Sequence, residues 1–107
     1  MDRKKLAIII TTDKYMNHIS GLIEAAAKKD CVVSVFIMDK GVFLTENKEF
    51  VLLIEKYRSN IDKVSVCEHS CNVNEVISRI DEFNYASQFE NAKMISGLEE
   101  KDRALLF

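Results

Sequence analysis

Two apolar runs, Leu6-Ala7-Ile8-Ile9-Ile10 and Val32-Val33-Ser34-Val35-Phe36-Ile37-Met38, constrain this chain more than any other feature. A strand with one wet face alternates apolar and polar residues, whereas a near-continuous apolar run is buried on both faces. Such strands belong to parallel sheets sandwiched between helices, and the residues between the runs have the matching period. From Tyr15 to Lys29 the residues Met16, Ile19, Leu22, Ile23, Ala26 and Ala27 recur at three- and four-residue steps, one face of an amphipathic helix. Thr12 or Asp13 is suited to cap it.

The alternation continues. Phe50, Leu53, Ile54 and Tyr57 predict a second helix over roughly Lys48 to Arg58, and Val64 to Cys67 a third strand. Val73, Val76, Ile77 and Ile80 predict a third helix, with Asn72 and Glu75 in capping-box spacing at its start. Phe83 to Ser87 reads as a short fourth strand. Phe89, Ala92 and Ile95 read as a fourth helix ending near Gly97, and Arg103 to Phe107 as a last strand. The expected architecture is a small doubly wound, flavodoxin-like α/β sheet of about five mostly parallel strands with helices on both faces. At 107 residues it is one domain spanning 1–107. With the strand order 2-1-3-4-5, the loops Thr11 to Lys14 and Cys67 to Asn72 meet at the switch point, with Asp39 to Val42 beside them.

Charge and cysteine usage narrow the function classes. A net charge of −2 gives no general attraction to nucleic acid or to an anionic membrane. Basic residues precede Leu6 to Ile10, but that run is too short for a signal peptide core, and no stretch approaches a membrane span. Three cysteines are an odd number and argue for reduced thiols, so a cytoplasmic setting is expected. No glycine-rich phosphate loop is present, which counts against nucleotides.

The chemistry-bearing stretch is KVSVCEHSCNVNEV, Lys63 to Val76. Cys67 closes a strand just before a helix, where backbone N–H groups favour a thiolate; it is the candidate nucleophile, or else a small core residue. Cys71 is either its resolving thiol, with Cα atoms about 6 Å apart across one helical turn, or a packing residue. His69 either promotes a thiolate or is simply solvated. Cys67, His69 and Cys71 are too few for a structural zinc site, and His18 and Cys31 complete it poorly; no metal or cofactor is expected. Thr11, Thr12 and Asp13, with Asp39 and Gly41, are candidates for substrate or anion binding, although capping explains the first three equally well. Phe43 and Leu44 after the second strand fit either local packing or a subunit interface.

Taken together, the first strand ending in TTD, the stretch FIMDKGVFL, the stretch VSVCEHSC and the closing KDRALLF resemble the DsrE/DsrF-like sulfur-relay family. The matching features are Gly41-Val42, Cys67 and the terminal strand Asp102 to Phe107. The resemblance implies that Cys67 carries a persulfide, that sulfur donor and acceptor proteins are partners, and that the chain forms a trimer or hexamer. The Arg-Gly pair often found after the family's cysteine is replaced here by Asn72-Val73-Asn74, and His69 and Cys71 are additions. Three functions follow: a sulfurtransferase-like carrier, a non-enzymatic small-ligand or regulatory module, or a redox protein cycling Cys67 and Cys71.

Overall fold

The computed structural model describes residues 3–107. Strands and helices alternate as β1 (Lys5–Ile10), α1 (Met16–Lys28), β2 (Val32–Ile37), α2 (Lys48–Lys56), β3 (Ile61–Cys67), α3 (Glu68–Val73), β4 (Asn84–Ala86), α4 (Gln88–Ser96) and β5 (Arg103–Leu106). All four strand pairings are parallel, and the sheet is doubly wound as expected. The strand order is not the expected one. It runs β4-β3-β2-β1-β5, so β2 separates β1 from β3, and the switch point lies between β1 and β5.

This order fixes which helix covers which face. The steps from β1 through β4 all travel the same way across the sheet, and right-handed crossovers then put α1, α2 and α3 on one face. There Ile19 and Ile23 of α1, Phe50 and Ile54 of α2 and Cys71 of α3 share one core with Ile8, Ile10, Val35, Ile37, Val64 and Val66. The return step to β5 reverses direction and leaves α4 alone on the other face, over buried Phe36 and Ser65. A salt bridge from Lys63 to Glu90 ties α4 to β3.

The helix ends explain where sequence periodicity misled. Neither Thr12 nor Asp13 caps α1; Tyr15 occupies that position without a side-chain bond. The predicted third helix over Val73 to Ile80 does not form. Cys67 itself is the N-cap, and α3 stops after six residues, with Glu75 in the left-handed region at φ 59°. The N–H of Val76 then donates to Cys71 O and that of Glu75 to Asn72 O. These bonds close the helix in a Schellman motif that docks Val76 into the core. Asp30 ends α1 the same way at φ 54°, with Cys31 N–H donating to Ala26 O. Both left-handed positions hold an acidic residue rather than the usual glycine, so no stop signal was visible. The presumed loop after β2 is a run of 3₁₀ turns, Asp39–Glu46, in which Val42 and Leu44 are buried and Phe43 is half-buried against the core. Val42 and Leu44 thus belong to the subunit's own core, and Phe43 packs against it.

Asp102 locks the end of the fold. It is buried, its carboxylate accepting from Glu99 N–H at 2.7 Å and Lys5 N–H at 2.8 Å, which joins the start of β1 to the turn before β5. These two backbone bonds, Glu99 first, hold its carboxyl below the ordinary aspartate range. A depressed folded-state pKa stabilises the fold at pH above the unfolded value, and the effect is lost as pH falls through the folded one. Asp102→Asn turns an acceptor into a donor facing an N–H. The variant should therefore unfold at lower urea than the parent at pH 7, and the gap should narrow below pH about 4. Equal midpoints at pH 7 would show that this carboxylate does not hold the strand ends.

Candidate functional site

The carboxyl ends of β2 and β3 carry the site. Cys67 is the last residue of β3, shares the Ser65 face of that strand, and is only 2% exposed. Its sulfur accepts from the N–H of Ser70 at 3.5 Å, the bond that starts α3. Across the sheet end Gln88, the first residue of α4, directs its amide Nε2 at Cys67 Sγ, 3.8 Å away, and at Met38 Sδ, 3.6 Å away. Two N–H donors therefore converge on one buried sulfur. A six-residue helix has little macrodipole, so the donors rather than the helix make this environment.

Ser70 and Asn74 build the floor. The Ser70 hydroxyl accepts from Asp39 N–H at 2.8 Å, and Asn74 Nδ2 donates to Ser70 O and Asp39 O. These bonds stabilise Asp39 in its left-handed conformation, φ 49°, at the sharp exit from β2. Gly41 lies two residues on, with a hydrogen bond from its N–H to Met38 O. A Cβ there would stand 2.6 Å from the backbone oxygen of Ile10, so its glycine is needed to let the 3₁₀ turns pack over β1.

The candidates named from sequence fall into two groups. Cys67 and Asp39 are linked through Ser70, which contacts both, and Gly41 packs against the backbone of Ile10. Thr11, Thr12 and Asp13 lie at the end of β1, with β2 between them and Cys67. There Thr11 pairs with the last residue of the chain: its hydroxyl donates to Phe107 O at 2.8 Å. His69 is exposed on α3, and His18 is exposed on α1 against the ring of Tyr15. Cys71 points into the core formed with α1 and α2 and is fully buried, and burial, the largest influence, pushes its thiol above the usual range, with Arg79 pulling the other way. Cys31 is partly buried at the edge of the same core. Among the described residues no three His, Cys, Asp or Glu side chains are grouped to hold a metal ion. Gln88, Met38 and Ser70 escaped sequence reasoning. They are ordinary residues whose only signal is proximity, and a glutamine 21 positions from a cysteine gives no hint of contact.

The fold is a small, doubly wound α/β domain with a buried thiol at the carboxyl end of its third strand. Among solved structures, the ychN protein of E. coli superposes with a TM-score of 0.74 at 12% identity, over 99% of this chain and 100% of that one. BT1422 of Bacteroides thetaiotaomicron, described as a conserved protein of unknown function, gives 0.72 at 16% identity over 97% and 95%. No family model and no curated protein matches the sequence. The likeness is one of fold.

Ser70→Ala removes the acceptor of the Asp39 N–H without touching Cys67. It should cost roughly 1–2 kcal/mol, the loss expected for stranding one partly buried donor. Urea unfolding should show the loss, and a midpoint equal to that of the parent would mean water replaces the hydroxyl freely.

Proposed function

We propose that this protein is a sulfur carrier that accepts and donates a sulfane sulfur on Cys67. The observation that carries this reading is the convergence of the Ser70 and Gln88 N–H groups on Cys67 Sγ at the carboxyl edge of the sheet. A carrier must be a thiolate to attack and must hold a persulfide without losing it to water or oxidant. Two N–H donors hold the sulfur at the strand end for the first step, and 2% exposure serves the second. In the loading step the Cys67 thiolate attacks the outer sulfur of R–S–SH. The new S–S bond forms as the donor's S–S bond breaks, giving Cys67–S–SH and RS⁻, which takes a proton from solvent. Transfer to an acceptor thiolate repeats this step in reverse. The resemblance to the sulfur-relay family points the same way.

A dithiol cycle is less well supported. Cys67 lies on the α4 face of the sheet and Cys71 faces the core on the other side, where burial disfavours its thiolate. For a ligand-binding or regulatory module, no feature of the site favours a particular ligand. Intact mass after treatment with cysteine persulfide and removal of excess donor tests the proposal. The parent and Cys71→Ser should each gain one sulfur atom, reversed by reductant, and Cys67→Ser should gain none. A gain that persists in Cys67→Ser, or an internal Cys67–Cys71 disulfide as the only product, would overturn it.

We also propose that the chain self-associates, with a trimer or hexamer suggested by the same resemblance. Every residue of edge strand β5 is exposed, Leu106 to 70%, and Phe89 on α4 is 62% exposed. Unpaired edges and apolar patches of this kind are normally covered. Light scattering at micromolar concentration should report a multiple of the 12.3 kDa chain, shifted towards monomer by Leu106→Asp. A parent that is monomeric would exclude this.

A further inference from the structure

The buried sulfur of Cys67 meets the backbone N–H of Ser70 and the side-chain amide of Gln88 from α4, which also reaches Met38 at the end of β2. Gln88 itself is exposed, so its long side chain lies over a buried sulfur with solvent on its outer side. Its backbone is fixed by the capped start of α4, where Ser87 accepts from Phe89 N–H. The amide is retained by two N–H to sulfur contacts, at 3.8 and 3.6 Å, both weaker than ordinary hydrogen bonds. Rotation about the side-chain bonds therefore opens the site while the sheet and helix stay in place. Such an opening is only as wide as one side chain.

From this geometry we infer that Gln88 is the specificity-determining residue of the site. It acts as a swinging cover that admits narrow sulfur donors to Cys67 and excludes broad ones. The inference rests on the carrier reading and names its substrate class: a persulfide carried at the end of a narrow, unbranched group. The bulk of the side chain sorts donors by width.

The test compares reaction rates at Cys67, read by peptide mass mapping because Cys31 is more exposed. The reagents are iodoacetamide and a maleimide carried on a polyethylene glycol chain. Gln88→Ala removes the cover and one N–H contact to the sulfur together, so the readout is the ratio of bulky to narrow rates. That ratio should rise by roughly threefold to tenfold, the equilibrium effect of removing one or two weak hydrogen bonds. Gln88→Met fills the same volume without an N–H and should keep the parent's ratio. Thermal unfolding midpoints equal to the parent's confirm that neither change acts through the fold. Unchanged selectivity in Gln88→Ala, or the same rise in Gln88→Met, would overturn the inference. Alkylation does not depend on sulfur transfer. A failed carrier reading would therefore show as no mass gain with the selectivity intact, and a failed cover as the reverse.

Discussion

The handedness of parallel crossovers is the constraint on which the rest of this structure depends. A strand, a helix and a following parallel strand join almost always in the right-handed sense. Three successive steps in one direction, β1 to β4, therefore stack α1, α2 and α3 on a single face, and only the reversed step to β5 supplies a helix to the other. One face becomes a deep core. The other is covered by the nine residues of α4, none of which is fully buried. A lightly covered face is where a side chain can move without disturbing a packed interior.

Cys67 owes its character to that asymmetry. Alternation along β3 sends Val64 and Val66 into the deep core and Ser65 and Cys67 to the opposite side. The turn of α3 then carries Cys71, four residues later, back into the deep core. Two thiols that are neighbours in sequence thus acquire opposite environments. One meets two N–H donors at the sheet end, and the other is buried among aliphatic side chains, where desolvation raises its pKa.

The ends of the fold are held by a different device. Asp102 receives two backbone N–H groups, and Thr11 pairs with Phe107, so β5 is fastened to β1 at both of its ends. The switch point that the strand order creates is therefore occupied by the chain's own hydrogen bonds, and the candidate site lies two strands away, at β3. Open α/β sheets usually place their ligands at the switch point. The candidate site keeps to the carboxyl edge of the sheet but lies away from the switch point.

Hydrophobic periodicity alone determined the alternation of elements, the parallel doubly wound class and the placement of Cys67 at a strand end. These depend on local burial pattern, which is written in consecutive residues. The strand order lay beyond it, because Leu6 to Ile10 and Val32 to Met38 are apolar on both faces and would pair equally well in either order. The end of α3 was hidden because Glu75 takes a left-handed conformation that glycine usually announces. The apolar Val42 and Leu44 looked exposed until the 3₁₀ turns folded them inward. Gln88, Met38 and Ser70 were invisible for a more general reason. Their roles rest on contacts between distant residues, Gln88 with Cys67 and Met38, and Ser70 with Asp39, and such nearness is created only when tertiary packing brings separate strand ends together.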